Sequence, residues 1–273
     1  MVVEEKVKLS DKDLQGFVSL LRDSTDSTLN LMGQQISKLD DHSLENIEEI
    51  VSQNEDEALI DNWYQASKVA LQNQIQDWKR DGDLEQGLFL ISRLRNPGLN
   101  ITKYQEQLDD YARRVAEKLK ANSSVNKIIF TINQVLFREE GFRGNQDDYY
   151  DLDNNFLHSV LDTKHGNPIM LSSIYILLGR RLGLDIKSIG TPGHFIVQFD
   201  DQFIDPFFQG KRITRQECVL RAQELSVYWR DEFLEPTDDR FIISRCIRNI
   251  IAIYKKQNEF DKAADATNLL KLV

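Results

Sequence analysis

One segment, Gly166 to Pro206, constrains the fold of this 273-residue chain more than the rest. It reads GNPIMLSSIYILLGRRLGLDIKSIGTPGHFIVQFDDQFIDP and begins with a helix whose apolar residues cover most of its circumference, so this helix must be buried. Pro168 suits the first turn of the helix, and Gly183 ends it. Two short alternating stretches follow, the first starting at His194, with a turn at Asp200-Asp201 between them, and they predict an antiparallel hairpin.

The hairpin carries a pair of ionisable residues, His194 and Asp205. If Phe199 lies opposite Gln202, His194 and Asp205 are diagonal neighbours on one face of the sheet and within reach of each other. A histidine oriented by a carboxylate can act as a general base that prepares a nucleophile. A buried His–Asp hydrogen bond also serves structure alone, so the pair by itself leaves an enzyme, a binding module and a scaffold open.

Composition restricts the classes of function. The chain has 44 acidic and 34 basic residues and a formal net charge of −10, which argues against binding nucleic acid through its phosphates. No run of about 18 apolar residues predicts a membrane span, and the start MVVEEKVKLSDKD lacks the layout of a secretion signal. We therefore expect a cytoplasmic protein that binds neither nucleic acid nor membrane.

The metal-binding residue types are few. Two cysteines and four histidines, none of them at ligand spacing, predict no metal site and no disulfide framework. We also expect no cofactor.

Region 1–80 has the periodicity of helices and contains two similar segments that indicate an internal repeat. FVSLLRDSTDSTLNLMG and IEEIVSQNEDEALIDNW align at an offset of 30 residues. Each copy has an apolar helix end, a polar break, and a new helix that begins near Leu29 or Leu59. A helix–turn–helix unit repeated at this length is similar to HEAT-type repeats, and an irregular helical bundle is the alternative.

Two further regions complete an α+β, mostly helical fold with a small antiparallel sheet. Region 81–212 holds the central segment and its leading helices, including a polar loop from Phe142 to about Asn155 that we predict to lie on the surface. Region 213–273 is predicted to be helical, with one helix over Ile213 to Trp229. Its last two helices, joined near Asn258, resemble a TPR-like pair.

The central segment resembles the core of the transglutaminase-like fold. In that fold Gly-x-Cys opens a buried helix, Leu-Gly-Ile/Leu ends it, a His starts one strand and Asp-Pro ends the next. Here Gly166-Asn167-Pro168 stands where Gly-x-Cys would, and Leu182-Gly183-Leu184 lies at the helix end. The resemblance implies that His194 and Asp205 correspond to the other two members of a catalytic triad.

Five motifs in order resemble, more narrowly, the SirB-type branch of that superfamily, a bacterial group of poorly defined function. They are LFREEGFRGNQDDYY, NNFLHSVL, GNPIMLSSIYILLGRRLGL, GTPGHFIVQF and FIDPF. The resemblance runs from about Asp83 to the C-terminus and includes the TPR-like tail. It implies a regulatory role without naming a partner.

The nucleophile position departs from the family pattern, because Pro168 has no nucleophilic atom. Ser172 lies about 6 Å further along the helix, without a tight turn or an evident oxyanion arrangement around it. Cys218 belongs to a later helix, and nothing in the spacing brings it to His194. Since removing a triad nucleophile lowers the rate by several orders of magnitude, we do not expect thiol-dependent activity.

We therefore predict a non-catalytic transglutaminase-like domain, a pseudoenzyme, that binds a protein or peptide partner. The remaining residues that we expect at a cleft around His194 are Tyr150, Asn154, Asn155, Gly166, Asn167, Ser172 and Gly193.

Two alternatives remain. The first is a cysteine-independent amide hydrolase or isopeptidase in which His194 activates water and Asp205 orients the imidazole. Asn154, Asn155 or Tyr150 would then polarise the substrate carbonyl. The second is a scaffold in which the His–Asp pair only stabilises the hairpin.

Overall fold

The structure, a computed structural model, describes residues 6–273. The start of predicted region 1–80, and with it part of the expectation about a secretion signal, lies outside the described residues. The chain divides into two compact units, one reaching to Lys103 and including Lys271–Val273, the other spanning Tyr104–Leu270. The boundaries expected after residues 80 and 212 stay predictions.

The first unit is helical, and two of its helices start where the predicted internal repeat places them. Its helices are α1 (Asp11–Arg22), α2 (Asp26–Ile36), α3 (Asp41–Ser52), α4 (Glu57–Asp81) and α5 (Leu84–Ser92). Thr25 and Thr28 form a capping box at the start of α2, and Asp56 accepts the N–H groups of Ala58 and Leu59 at the start of α4. The new helices expected near Leu29 and Leu59 are therefore confirmed, each beginning slightly earlier.

One apolar core holds α1 to α4 together. Leu21, Ile47, Leu59 and Trp63 are fully buried within it. The Trp63 indole satisfies its one polar atom by donating from Nε1 to Glu48 Oε2 at 2.7 Å. The amphipathic pattern of the sequence thus gives a single packed interior in this unit.

The second unit combines helices with a small sheet. Its helical elements are α6 (Ile101–Glu117, which begins in the first unit), α7 (Val125–Asn133), a π-helical turn (Gln134–Glu139), α8 (Leu157–Thr163), α9 (Pro168–Arg181), α10 (Arg215–Glu224), α11 (Asp239–Lys256) and α12 (Phe260–Leu272, whose last two residues belong to the first unit). Short 3₁₀ turns cover Leu152–Asn155, Pro206–Phe208 and Asp231–Leu234. The strands are β1 (Arg143–Gly144), β2 (His165–Gly166), β3 (Ile186–Ile189), β4 (Ile196–Phe199), β5 (Gln202–Asp205), β6 (Lys211–Ile213) and β7 (Pro236–Thr237).

The main sheet is antiparallel throughout, in the order β6-β5-β4-β3-β7, while β1 and β2 form a separate short parallel pair. Phe199 pairs with Gln202, which confirms the predicted hairpin register. Helix α9 is buried along nearly its whole length and packs against β3 and β4. The predicted mostly helical fold with a small antiparallel sheet is therefore confirmed.

The predicted helix from Ile213 to Trp229 is wrong at both ends. Residues up to Ile213 form strand β6, which pairs with β5. Thr214 and Glu217 then build a capping box that starts α10, and the helix stops at Glu224. Strands of two or three residues show too little alternation to be predicted from sequence.

The predicted strand starting at His194 begins two residues later, at Ile196. Gly193 has a left-handed φ of +65°, and the His194 N–H donates to the Thr191 carbonyl at 3.2 Å, so this stretch is a turn. His194 thus sits on the turn that enters β4.

The loop from Phe142 to Asn155 is not a surface loop along its whole length. Phe142, Asn154 and Asn155 are buried, with 1%, 3% and 2% of their surface exposed, whereas Tyr149 and Tyr150 are exposed. The asparagines tolerate burial because their side chains are hydrogen-bonded within the unit, as described below.

The C-terminal helices α11 and α12 are joined at 257–259, and the expected break near Asn258 is confirmed. No helix in the described part of the chain has both the length and the apolarity that crossing a membrane requires.

A buried tyrosine offers a test of the packing around α9. Tyr175 stacks on Phe137, and its hydroxyl has no hydrogen-bond partner among residues 6–273. The buried Tyr111 hydroxyl, in contrast, is bonded to the side chains of Gln107 and Lys164.

We expect Tyr175→Phe to raise the free energy of unfolding by about 1 kcal/mol, because it removes an unsatisfied polar atom. The matched Tyr111→Phe change should lower the free energy of unfolding by about 1 kcal/mol, because it removes a hydroxyl that forms hydrogen bonds. Urea denaturation measures both. Equal destabilisation by the two changes would contradict this description of the core.

Candidate functional site

His194 and Asp205 meet at the end of the β4–β5 hairpin. His194 Nε2 lies 2.8 Å from Asp205 Oδ2, and the aspartate side chain is completely buried. The hairpin register contributes to this contact: Val197 pairs with Ile204, which places Ile196 opposite Asp205, and His194 lies two residues before Ile196. The imidazole and the carboxylate therefore form a hydrogen-bonded pair.

Arg221 is a third member of this cluster and was not predicted. Its Nη1 donates to the same Asp205 oxygen, Oδ2, at 2.7 Å, and its guanidinium lies 5.2 Å from the centre of the Phe208 ring. Burial by itself would raise the pKa of Asp205, but the hydrogen bonds and charges of His194 and Arg221 outweigh burial and hold that pKa below its ordinary value. Asp205 is therefore a buried carboxylate whose charge Arg221 already compensates.

The imidazole ring of His194 packs against two aromatic side chains. Phe207 meets it edge-on at 6.0 Å between ring centres, and Phe208 lies at 6.2 Å. Its Nδ1 makes no hydrogen bond with any residue in the described range 6–273. The side chain is 11% exposed. The pair thus presents one unengaged ring nitrogen beside aromatic side chains.

Pro168 occupies the first position of α9. Asn167 precedes it as the N-cap and accepts the Met170 N–H through Oδ1 at 2.8 Å. Because proline lacks an N–H and fits the first helical turn, the residue is well suited to this place as a structural element. It is buried and offers neither a nucleophile nor a proton.

Ser172 and Ser173 are fully buried in α9, and both hydroxyls are used locally. Ser172 Oγ donates to the Phe195 carbonyl at 3.2 Å, which ties the helix to the residue that follows His194. Ser173 Oγ donates to the Ile169 carbonyl at 2.9 Å. Neither hydroxyl makes a hydrogen bond with His194.

Cys218 lies nearer to the pair than the sequence spacing indicated. It is buried in an apolar cluster with Ile189, Ile196 and Ile213, and it interacts electrostatically with Asp205. Burial raises the pKa of its thiol, and the charge of Arg221 opposes that shift. Burial also raises the pKa of Cys246 to about 12. At neutral pH both thiols are protonated and poor nucleophiles.

A cluster of asparagines joins the loop before α8 to the start of α9. Asn167 Nδ2 donates to Asn155 Oδ1 at 2.6 Å, and Asn155 Nδ2 donates to the Leu152 carbonyl at 3.2 Å. Asn154 Nδ2 donates to the Asp148 carbonyl at 2.8 Å, and its Oδ1 accepts from Asn145 at 3.0 Å. These amides order the loop, so their donor atoms are already engaged.

Three of the expected cleft residues line a common small cleft of about 120 Å³. Its lining residues are Tyr149, Tyr150, Asn155, Asn167, Asn249, Ala252, Ile253 and Lys256. Gly166 lies elsewhere, in β2 and close to Val160. Gly193 lies in the turn before His194, where an added Cβ would meet Leu225. The structure therefore distributes the predicted cleft residues over more than one place.

Among the described residues, no three His, Cys, Asp or Glu side chains are grouped so that they would hold a metal ion.

Arg221, Arg245 and Lys256 were the side chains that sequence reasoning missed. Arg245 Nη1 lies 3.2 Å from the His194 carbonyl and 3.4 Å from the Thr191 carbonyl, so it braces the turn that carries the histidine. The basic, apolar pattern of α11 was visible in the sequence, but no pattern linked it to His194.

Comparison with known proteins defines the family. The family model described as the transglutaminase-like superfamily matches residues 102–248, more than half of the chain. A UPF0162 protein of Xylella fastidiosa (strain 9a5c) is 33% identical over 196 residues, which cover 68% of this chain and 70% of that protein. A UPF0162 protein of Vibrio cholerae is 24% identical over 50% of this chain and 53% of its own length.

A longer protein contains the same region. Human F-box only protein 21 is 32% identical over 207 residues, covering 63% of this chain and 32% of that protein. No solved structure matches the chain. On the extent of the family match and the identity to the Xylella protein, the chain belongs to the transglutaminase-like superfamily and is related to the UPF0162 proteins.

Proposed function

We propose that this protein is a non-catalytic transglutaminase-like domain that binds a protein or peptide partner. The observation that carries the proposal is the buried Pro168 at the first position of α9, where the family pattern has its nucleophilic cysteine. A proline there supports helix initiation and supplies no atom that can attack a carbonyl.

The other nucleophile candidates support the same conclusion. Ser172 is fully buried and donates to a backbone carbonyl. Cys218 and Cys246 are buried thiols with raised pKa values. A serine or cysteine nucleophile needs an adjacent base or a lowered pKa, and neither condition is met by these three side chains.

Arg221 also favours a non-catalytic role for the pair. In a catalytic triad the carboxylate stabilises the imidazolium that forms when histidine takes a proton. Here Asp205 Oδ2 already accepts a hydrogen bond from the Arg221 guanidinium at 2.7 Å. The carboxylate is therefore engaged by two partners, and its charge already compensates a guanidinium, which favours a structural role for the His–Asp pair.

The surroundings of the domain fit an interaction module. Human F-box only protein 21 carries the matched region within a chain of which it forms only a third, as a transferable module would. We further propose that the chain is a SirB-type regulatory protein of the cytoplasm. In this proposal region 1–80 forms HEAT-like helices, region 81–212 forms the transglutaminase-like core, and region 213–273 forms a TPR-like tail. The two helix pairs α1–α2 and α3–α4 and the final pair α11–α12 support it.

A cysteine-independent amide hydrolase or isopeptidase is the second candidate. It is favoured by the short Nε2–Oδ2 contact of 2.8 Å and by the unengaged Nδ1 of His194. This nitrogen would take a proton from water while the Asp205 carboxylate orients the ring. Asn154 and Asn155 already donate to backbone carbonyls, so Tyr150 is the remaining predicted group for polarising a substrate carbonyl.

Amide and ester hydrolysis separates the two candidates. We expect wild type and His194→Ala to hydrolyse fluorogenic peptide amides and p-nitrophenyl acetate at equal background rates, because no nucleophile is present. The matched control is His42→Ala, which removes an exposed histidine from the first unit. A fall of about 100-fold or more in His194→Ala alone would establish a general base and refute the non-catalytic proposal.

The same variant also tests the structural contribution of the pair. Replacing His194 by alanine leaves a buried carboxylate with one hydrogen-bond partner fewer. We expect the free energy of unfolding to fall by about 1–3 kcal/mol, while His42→Ala changes it little. If His194→Ala were as stable as wild type, the histidine would have no structural role.

A further inference from the structure

Helix α11 concentrates positive charge in an acidic chain. Its sequence, DRFIISRCIRNIIAIYKK, has five basic residues and one acidic residue, whereas the whole chain has a net charge of −10. The one acid, Asp239, is bound by Arg180 at 2.6 Å. Helix α11 therefore carries a net positive charge within an acidic chain.

Three polar residues of α11 lie along one side of the helix. Arg245, Asn249 and Lys256 are separated by four and seven residues, spacings that bring them to within about 40° of one another around the axis. Their Cα atoms span about 16 Å along the helix. Ala252 falls on the same side and leaves room between the longer side chains.

Two tyrosines form the facing wall. Lys256 Nζ lies 3.7 Å from the centre of the Tyr150 ring, and Tyr149 packs edge-on against Tyr150 at 5.4 Å. Arg245 lies close enough to Tyr149 to interact electrostatically with its phenol. Asn249 and Ala252, which lie between Arg245 and Lys256 in the sequence, line the small cleft described above. None of the eight residues that line this cleft is acidic.

Neither cation of this surface forms an ion pair with a carboxylate in residues 6–273. Arg245 donates to two backbone carbonyls and stacks near Phe195 and Phe241, with no carboxylate among its partners in residues 6–273. Burial lowers the pKa of Arg245, as expected for a cation with no compensating anion. Lys256 makes no ion pair, and the Asn249 amide makes no hydrogen bond, within the same range.

We infer that the surface formed by Arg245, Asn249, Lys256, Tyr149 and Tyr150 binds an extended acidic peptide. A strand-like segment of about five residues matches the ~16 Å that separates the Cα atoms of Arg245 and Lys256 along the helix. The cations would pair with carboxylates, and the Asn249 amide would hydrogen-bond to the peptide backbone. The inference rests on the proposed peptide-binding function and gives it a site and a ligand chemistry.

Fluorescence anisotropy with the full chain tests this site. The probe is a short fluorescein-labelled peptide of alternating glutamate and alanine, and the comparison peptide has glutamine in place of each glutamate. We expect the glutamate peptide to bind more tightly and to weaken as salt is added. Lys256→Glu and Asn249→Asp should each weaken binding about fivefold or more.

The matched control is Lys255→Glu, which makes the same charge change one residue away and outside the cleft lining; it should bind nearly as wild type does. Equal weakening by Lys255→Glu and Lys256→Glu, or tighter binding of a single-stranded oligonucleotide, would overturn the inference. Equal affinity for the glutamate and glutamine peptides would also overturn it, yet would leave peptide binding in place. Hydrolysis lost in His194→Ala would instead refute the proposed function, whatever the peptide data show.

Discussion

A completely buried carboxylate, Asp205, organises the chemistry of this domain. An ionised side chain in the interior is costly unless charges or hydrogen bonds compensate for lost water. Asp205 has both kinds of compensation, from His194 Nε2 at 2.8 Å and Arg221 Nη1 at 2.7 Å. These contacts join the β4–β5 hairpin to α10, and the hairpin in turn packs on α9. The position of His194 depends on this junction.

In our proposal, the same junction allows a transglutaminase-like core to keep a His–Asp pair although Pro168 stands at the expected nucleophile position. Pro168 starts α9 efficiently, and the Ser172 hydroxyl ties α9 to the Phe195 carbonyl. Both features stabilise the arrangement around His194, and neither needs a reaction to account for it. We further propose that the His–Asp pair supports the shape of a surface, and that Tyr149, Tyr150, Arg245 and Lys256 supply recognition.

Sequence periodicity predicted the strongly patterned parts of the fold. The buried α9, the hairpin register and the break near Asn258 are confirmed, because each follows from side-chain spacing or turn residues over several positions. Arg221 could not be found in this way, since its approach to Asp205 depends on β6, a strand of three residues. Asn154 and Asn155 were misjudged as exposed because composition reports polarity, while burial depends on hydrogen-bond partners that only the fold supplies.

A double-mutant cycle between Asp205 and Arg221 tests most directly whether the buried charge has a structural use. The free energy of unfolding would be measured for Asp205→Asn, Arg221→Gln and the double variant. If the two groups compensate each other, the double variant costs little more than the worse single change, with a coupling energy of about 2 kcal/mol. Additive costs, with a coupling energy below about 0.5 kcal/mol, would show that Arg221 does not neutralise Asp205. That result would contradict a structural use of the buried charge and would favour a role for Asp205 in orienting His194.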